Sequence, residues 1–110
     1  MLKVAVLVSG GGSNLQSILD YEQDSFKVEM VIGSKDGIYG LERAKNAGVP
    51  SYVVSRKEYG DEVSNKILEL TKGKVDLIVL AGYLSILDGE ILKVFKDRIV
   101  NIHPSLIPSF

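Results

Sequence analysis

The stretch KVAVLVSGGGSNLQ, residues 3–16, joins an apolar run to a glycine-rich loop and a polar segment. Residues 4–8 are all apolar, which is typical of a strand that is buried on both faces in a parallel sheet. The glycines allow a tight turn, and the segment that starts at Ser13 fits the first turn of a helix. This order of strand, turn and helix predicts the first unit of an α/β fold.

The same alternation continues along the rest of the chain. Further strands are predicted at residues 26–34, 51–55, 75–83 and 98–103. Helices are predicted at residues 13–21 and 40–48, and again between the third, fourth and fifth strands. Strands joined by helices imply right-handed crossovers, so the sequence predicts an α/β fold with a doubly wound, mainly parallel, Rossmann-like sheet.

Several residues mark predicted helix ends. Gly48 suits the C-terminus of the second helix, because glycine readily adopts the left-handed conformation there. Ser55 and Glu58 have the spacing of a capping box, which predicts a helix start at Ser55. That helix is expected to carry three apolar residues on one face: Val63, Ile67 and Leu70. Asp88 is the expected N-cap of a short last helix.

Length and charge limit the classes of protein that remain. A chain of 110 residues fits a single α/β domain that spans residues 1–110. Its net charge of -1, from 13 basic and 14 acidic side chains, indicates neither nucleic acid nor an anionic membrane surface as a partner. Any anion site must therefore be local and built from backbone geometry rather than from a basic field.

The absence of cysteine and the single histidine exclude further chemistry within these residues. No disulfide, thiolate nucleophile or multi-histidine metal centre can form from them, so no metal is expected. The apolar run at residues 4–8 is too short for a signal peptide, and no stretch approaches the roughly 20 apolar residues that span a bilayer. A cytoplasmic protein is therefore expected.

The last predicted strand, residues 98–103, is followed only by PSLIPSF, residues 104–110. No helix is predicted that could cover this strand, and a parallel strand with a bare apolar face would leave an exposed patch. We therefore expect that a C-terminal part of the fold is missing. A complete small flavodoxin-like domain with an antiparallel or edge ending is the alternative.

The glycine loop, residues 9–16, is a candidate anion site. Four amides are expected to point out of a helix N-terminus, those of Gly11, Gly12, Ser13 and Asn14. The helix dipole favours an anion there, and a phosphate is the natural ligand. A dinucleotide-binding fingerprint is not met, because Leu15 occupies the place of its third glycine, and the lysine of a Walker A loop is absent. From this loop alone, phosphate binding and a plain glycine-rich turn remain equally open.

A second candidate is the apolar segment at residues 79–87, at the end of the fourth strand. Gly82 is expected to break the strand, and the side chains that follow it are mostly apolar: Tyr83, Leu84, Ile86 and Leu87. Such a loop is unusual, because loops normally face water. It is expected either to pack under the next helix or to form a wall for a flat, mostly apolar ligand.

The only histidine lies at the predicted end of the fifth strand. Alternate residues of a strand share a face, so Asn101 and His103 are expected to project together, and Pro104 is expected to end the strand. In the usual strand order for this connectivity, the pair, the glycine loop and the loop at Gly82 open on one crevice. A lone histidine is more often structural, but this placement favours a functional pair.

These segments resemble the glycinamide ribonucleotide formyltransferase family. The resemblance is carried by VSGGGSNLQSIL at residues 8–19 and NIHPSLIPSF at residues 101–110, with GLERAKNAGV at residues 40–49 and LAGYLSIL at residues 80–87 between them. It implies a formyltransferase fold, of which this chain would be the N-terminal part of the catalytic domain. It also implies transfer of a formyl group from the co-substrate 10-formyltetrahydrofolate to the amine of glycinamide ribonucleotide, in de novo purine biosynthesis.

The resemblance also implies roles for individual residues. Three would hold the substrate phosphate: Gly12, Ser13 and Asn14. Six would line the folate site: Arg56, Leu84, Ser85, Ile86, Leu87 and Asn101. Asn101 and His103 would be catalytic, while the aspartate that pairs with the histidine in this family has no counterpart here. Ser85 departs from the family, whose members often carry a basic residue at that position.

Two other functions remain open from the sequence. One is a non-catalytic, Rossmann-type module that binds the phosphate of a nucleotide. The other is a different 10-formyltetrahydrofolate-dependent formyltransferase that acts on another acceptor. The sequence also leaves the oligomeric state open.

Overall fold

The computed structural model describes residues 1–21 and 25–102, and these residues form one sheet. Its strands are β1 (Leu2–Val8), β2 (Phe26–Gly33), β3 (Ser51–Val53), β4 (Leu77–Ala81) and β5 (Ile99–Ile102). They lie in the order β3-β2-β1-β4-β5, and every pairing is parallel. The predicted α/β class with a parallel sheet is confirmed, and so is the expected position of strand one beside strand four.

Helices cover both faces of the sheet. Within the described residues they are α1 (Ser13–Asp20), α2 (Tyr39–Asn46), α3 (Arg56–Tyr59), α4 (Val63–Thr71) and α5 (Glu90–Val94). Leu15 of α1 and Ala44 of α2 are buried against one face, and Ile67 of α4 and Ile91 of α5 against the other. The fold is therefore doubly wound. None of these helices is long and apolar enough to cross a membrane.

β1 lies at the centre of the sheet, which explains its unbroken apolar run. Residues 4–8 are all at most 3 % exposed. Leu7 packs into the cluster under α4 and α5, whereas Val6 and Val8 pack into the cluster under α1 and α2. Because successive side chains of a strand point to opposite faces, a strand covered on both sides needs apolar residues at every position.

The switch point of the sheet lies between β1 and β4, which are paired neighbours. The chain leaves β1 toward α1 on one face of the sheet and leaves β4 toward α5 on the other. The two loops therefore diverge beyond the carboxyl ends of these strands. In open α/β sheets this crevice is where ligands bind, so the fold places the glycine loop and the loop after β4 at the same site.

The helix predicted to continue from Ser55 through Leu70 is interrupted. α3 ends at Tyr59, and a 3₁₀ turn over Gly60–Glu62 leads into α4. Gly60 has φ 54° and ψ -125°, a conformation that a side chain would disfavour, so the glycine ends the helix there. The predicted cap is present, since the Glu58 amide donates a hydrogen bond of 3.2 Å to the Ser55 hydroxyl.

The prediction that Asp88 caps the last helix is wrong. Gly89 occupies the N-cap position of α5 with φ 76°, and no side chain caps the helix. The Asp88 amide instead donates a hydrogen bond of 2.9 Å to the hydroxyl of Ser64 in α4. The prediction for Gly48 is confirmed, because this glycine follows α2 with φ 73° and its amide donates to the Lys45 carbonyl at 3.0 Å.

β5 leaves part of its apolar surface accessible. A groove of about 310 Å³ runs beside β4 and β5 on the face that carries α1. It is lined mainly by apolar side chains: Leu2, Val4, Ile18, Phe26, Leu77, Val79 and Ile102. Val100 of β5 is also exposed. These features agree with the expectation of an apolar face on β5 that no helix covers, within the part of the chain that is described.

Candidate active site

The glycine loop turns sharply at Gly12, the N-cap of α1. Gly12 has φ 76°, in the left-handed region that favours glycine. A side chain there is also blocked, because a Cβ would lie 2.8 Å from the Cα of Gly40. By contrast, a Cβ on Gly10 or Gly11 would meet nothing within 4 Å. The backbone geometry therefore requires Gly12, whereas Gly10 and Gly11 border open space that a ligand can enter.

The glycine loop carries free backbone donors. The Gln16 amide donates to the Gly12 carbonyl at 2.8 Å, so the amides that precede Gln16 have no partner within α1. Among the described residues, nothing accepts a hydrogen bond from four of them, those of Gly11, Gly12, Ser13 and Asn14. The first turn of α1 contains no acidic side chain. Free amides at the positive end of a helix dipole suit an anion such as phosphate.

Ser9 ties the glycine loop to the β4–α5 loop, residues 82–89. Its hydroxyl oxygen accepts hydrogen bonds from the Leu84 amide at 2.8 Å and from the Ser34 hydroxyl at 3.0 Å. Ser9 is buried, so water is a poor substitute for these contacts. One side chain therefore connects the two loops that border the crevice at the switch point.

The β4–α5 loop divides its apolar side chains between the core and the surface. Tyr83 is buried, and Leu87 packs against the core on the side of α4 and α5. Leu84 and Ile86, in contrast, are each 86 % exposed. The expectation of inward packing is therefore met for part of the loop, whereas the wall for a flat ligand stays a prediction. Two of its side chains pack inward, and two form an exposed apolar surface that a flat ligand can contact.

Arg56 and Ser85 lie near the buried Tyr83. Burial raises the pKa of the Tyr83 phenol, and the Ser85 hydroxyl and the Arg56 charge offset part of this effect. Arg56 is the first residue of α3, and its Nη1 donates a long hydrogen bond of 3.5 Å to the Gly60 carbonyl. The fold thus brings the exposed guanidinium of Arg56 to the β4–α5 loop, as the predicted grouping of these residues requires.

Asn101 lies in β5, paired with Leu80 near the carboxyl end of β4. Strand alternation places it on the same face as Ile99, which packs against the cluster that contains α5. Asn101 is exposed and therefore available to a ligand at this edge of the sheet. His103 lies outside the described residues, so its pairing with Asn101 stays a prediction.

Comparison with known proteins defines the family of this chain. A sequence profile of the family described as formyl transferase matches residues 2–110. The chain belongs to the formyl transferase family. This match covers all the motifs that carry the resemblance, from the glycine loop to the Asn101 segment.

The individual relatives of this chain have more specific names. A phosphoribosylglycinamide formyltransferase of Haemophilus influenzae is 43 % identical over 116 residues, covering 100 % of this chain and 55 % of the relative. The trifunctional purine biosynthetic protein adenosine-3 of Drosophila melanogaster is 44 % identical, covering 98 % of this chain and 9 % of the relative. The crystal structure of glycinamide ribonucleotide transformylase 1 from Symbiobacterium toebii matches with a TM-score of 0.88 at 40 % identity, covering 100 % of this chain and 55 % of that one.

These names confirm the resemblance to glycinamide ribonucleotide formyltransferases. The formyl transferase chain spans about half the length of such relatives, with 55 % of the Haemophilus influenzae protein covered. The corresponding share of the Symbiobacterium toebii structure is also 55 %.

The contacts of three residues that shape the candidate site could not be predicted from the sequence. The sequence places Ser9 at the start of the glycine loop and predicts a helix over Gly40 and Arg43, but it indicates no contact for any of the three. In the structure the Gly40 amide donates to the Gly10 carbonyl at 3.0 Å, and Arg43 Nε donates to the Gly11 carbonyl at 2.7 Å. The available signal is the spacing of Gly40 and Arg43, because residues three apart share one face of a helix.

Proposed function

We propose that this formyl transferase chain forms part of an enzyme that transfers a formyl group from 10-formyltetrahydrofolate to the amine of glycinamide ribonucleotide, in de novo purine biosynthesis. Similarity to proteins named for this reaction supports the proposal. The observation that carries it is structural. The free amides of the glycine loop and the exposed apolar side chains of the β4–α5 loop border one crevice, and the Ser9 hydroxyl joins the two loops.

The acceptor is proposed to bind with its phosphate on the glycine loop. Gly12, Ser13 and Asn14 provide backbone amides at the N-terminus of α1, and no acidic group in its first turn opposes an anion. The net charge of the chain is -1, so these local donors must supply the attraction. This geometry favours an acceptor that carries a phosphate over an uncharged amine.

The formyl donor is proposed to bind along the β4–α5 loop. A folate has a flat ring system and carboxylates, so it needs apolar contacts together with a positive charge. Leu84 and Ile86 offer exposed apolar surface, and the nearby Arg56 offers the charge. Ser85, Leu87 and Asn101 complete the proposed folate site. Ser85 has a hydroxyl where relatives often have a basic residue. Contacts that the loop backbone makes with the folate would not depend on that side chain.

The chemistry requires charge stabilisation and one proton transfer. The amine nitrogen attacks the formyl carbon, and negative charge develops on the formyl oxygen, which the Asn101 amide and a protonated His103 stabilise as an oxyanion hole. A bond forms from the amine nitrogen to the formyl carbon, and the bond from that carbon to the folate nitrogen breaks. One proton passes from the amine to the departing nitrogen. A histidine with an unperturbed pKa of about 6.5 is suited to move it.

The reaction as written needs no metal, and among the described residues no group of three or more histidine, aspartate or glutamate side chains could hold one. We assign residues 1–110 to a single α/β domain that is the N-terminal part of the catalytic domain, and the protein to the cytoplasm, with which a sequence free of cysteine is compatible. The proposed ligands are small molecules, with neither nucleic acid nor a membrane involved.

The test uses the full-length gene product that contains this chain, with 10-formyltetrahydrofolate and glycinamide ribonucleotide as substrates. We expect formylated ribonucleotide and tetrahydrofolate in equal amounts. Asn101→Ala should lower kcat by about 10²–10³-fold with little change in the KM for the ribonucleotide, because the amide acts on charge that develops in the transition state. The matched control, Asn46→Ala at the exposed end of α2, should keep the kcat of the unaltered protein. Equal rates for the two variants would contradict the role of Asn101.

Other results would point to the alternative functions. Phosphate-dependent binding of the ribonucleotide without any turnover, or a rate that His103→Ala leaves unchanged, would favour a non-catalytic nucleotide-phosphate binding module. Turnover with a different phosphorylated amine, but not with glycinamide ribonucleotide, would favour another formyl folate-dependent transferase.

A further inference from the structure

Helix α2 holds the glycine loop through hydrogen bonds to two of the loop carbonyls. The Gly40 amide donates to the Gly10 carbonyl at 3.0 Å, and Arg43 Nε donates to the Gly11 carbonyl at 2.7 Å. Arg43 Nη1 also donates to Gln16 Oε1 at 3.2 Å. Two consecutive carbonyls of the loop are therefore occupied by donors from one helix, and the same arginine reaches into α1.

The contact between α2 and the loop depends on two glycines. A Cβ on Gly40 would lie 3.0 Å from the Gly10 carbonyl oxygen and 3.0 Å from Cγ2 of Val8. A Cβ on Gly12 would lie 2.8 Å from the Gly40 Cα and 3.3 Å from Cδ of Arg43. The backbones of helix and loop thus meet without a side chain between them, and the position of one fixes the position of the other.

The positive charge of Arg43 has no carboxylate partner within the described residues. The ion pairs found there, Lys27 with Glu29 and Lys66 with Glu69, do not involve it. Its guanidinium carbon lies 4.8 Å from the centroid of the Tyr39 ring, which helps to orient the group. The charge therefore remains available to attract an anion near the glycine loop.

The two occupied carbonyls determine where two amides point. Within a planar trans peptide, the carbonyl and the following amide point in opposite directions. Because the carbonyls of Gly10 and Gly11 are directed at α2, the amides of Gly11 and Gly12 are directed away from it, and both lack an acceptor among the described residues. If either peptide turned over, a carbonyl oxygen would face the anion and repel it.

We propose that Arg43 is a positioning residue for the phosphate of the acceptor. It holds the Gly11 carbonyl so that the loop amides stay directed at the phosphate, and its unpaired charge adds to the attraction. This inference rests on the proposed binding of phosphate by the glycine loop and extends it to α2. Arg43 lies on the carbonyl side of the loop, opposite the free amides. It therefore affects the KM for a phosphorylated acceptor and leaves kcat and the KM for the formyl donor unaffected.

The test compares two variants with a control in the full-length gene product. Arg43→Gln removes the positive charge and the donor to the Gly11 carbonyl. Gly40→Ala adds a methyl group beside the Gly10 carbonyl and so disturbs the loop at a second point. Lys45→Gln is the matched control, because Lys45 is an exposed base on the same helix. The measurements are the KM values for glycinamide ribonucleotide, for the dephosphorylated glycinamide riboside and for 10-formyltetrahydrofolate. The rise in Tm that inorganic phosphate produces is measured as well.

We expect Arg43→Gln to raise the KM for the ribonucleotide about tenfold or more and to reduce the stabilisation by phosphate. The KM values for the riboside and the folate, and kcat at saturation, should stay near those of the unaltered protein. Gly40→Ala should give the same pattern, and Lys45→Gln should give neither change. Arg43→Lys keeps the positive charge but lacks the several N–H donors of the guanidinium, so it should recover only part of the affinity for the ribonucleotide.

A general folding defect would not imitate this pattern, since it would weaken the phosphorylated and the dephosphorylated acceptor alike. Equal losses for both acceptors would therefore overturn the inference. Equal KM values for Arg43→Gln and Lys45→Gln would also overturn it. Failure of the proposed function has a different signature, because the unaltered protein would then show neither turnover nor stabilisation by phosphate.

Discussion

The Leu84 amide donates a hydrogen bond of 2.8 Å to the Ser9 hydroxyl, although the two residues are 75 positions apart in the sequence. Ser9 follows the central strand and begins the glycine loop, while Leu84 belongs to the exposed apolar surface of the β4–α5 loop. Their contact spans the switch point of the sheet, where β1 and β4 are neighbours. It therefore sets the distance between the proposed phosphate end of the crevice and its proposed folate end.

Ser9→Ala should destabilise the fold through this contact. The substitution removes the acceptor for both the Leu84 amide and the Ser34 hydroxyl in a buried place. Leaving such donors unpaired costs about 1–3 kcal/mol, so the free energy of unfolding should fall by about that amount. Equilibrium unfolding in urea measures it, and the KM for 10-formyltetrahydrofolate should rise because the β4–α5 loop loses its anchor.

Ser17→Ala is the matched control for this experiment. Among the described residues, the Ser17 hydroxyl donates only to the Ser13 carbonyl, at 3.3 Å on the exposed side of α1. Its loss should change the free energy of unfolding by no more than about 0.5 kcal/mol. If Ser9→Ala and Ser17→Ala unfold at the same urea concentration, the Ser9 hydroxyl does not link the two loops.

Gly12→Ala should lower stability more than the same change at Gly11. Gly12 has φ 76°, and an added Cβ would lie 2.8 Å from the Cα of Gly40. The left-handed conformation alone costs a non-glycine residue about 1–2 kcal/mol, and the close contact adds to that cost. Gly11 has open space around its Cβ position, so Gly11→Ala should leave the free energy of unfolding unchanged or slightly raised. Thermal unfolding of both variants decides the prediction, and an equal fall in Tm would contradict it.

The architecture could be predicted from the sequence because it follows from short-range patterns. An apolar run such as residues 4–8 identifies a strand covered on both faces, and five such runs separated by helical segments lead to the observed sheet order. The capping of α3 by Ser55 is also local, since donor and acceptor are three residues apart. The conformation of Gly48 is likewise a local feature, because it depends only on the end of α2.

The finer features of the site could not be predicted because they depend on contacts between distant segments. Nothing near Arg43 in the sequence indicates that its side chain reaches Gly11, 32 residues away. Tertiary packing decides such contacts, and a pattern of single residues does not contain that information. The break at Gly60 is different, because the glycine is a local signal that ends α3, although the apolar spacing of residues 63–70 continues the helical pattern.

Tyr83→Phe should make stability less sensitive to alkaline pH. Burial raises the pKa of the Tyr83 phenol, so the folded state holds this proton more tightly than the unfolded state. Its contribution to stability is therefore present below the unfolded pKa of about 10 and is lost as the pH rises through the folded pKa. Urea unfolding near pH 8 and above pH 10 measures this loss of stability. The Tyr83→Phe variant should not show it, because phenylalanine has no ionisable hydroxyl.

The same variant also tests the buried hydroxyl. The Ser85 hydroxyl lies near the Tyr83 hydroxyl oxygen, but no described group forms a hydrogen bond of good geometry with it, so its removal near pH 8 should leave stability equal or raise it by about 1 kcal/mol. Tyr52→Phe, in the exposed part of β3, controls for the loss of a phenol as such. A large loss of stability in Tyr83→Phe at neutral pH would show that the hydroxyl has a partner.

Ser55→Ala should weaken both the fold and the binding of the formyl donor. The Ser55 hydroxyl accepts from the Glu58 amide at 3.2 Å and caps α3, a helix of only four residues that begins with Arg56. Loss of such a cap costs about 1 kcal/mol, and the guanidinium of Arg56 would no longer be held near the β4–α5 loop. Urea unfolding should show the loss of stability, and the KM for 10-formyltetrahydrofolate should rise while that for glycinamide ribonucleotide stays constant. Ser55→Asp keeps an acceptor at the cap and should restore both values. If the alanine and aspartate variants behave alike, the cap does not position Arg56.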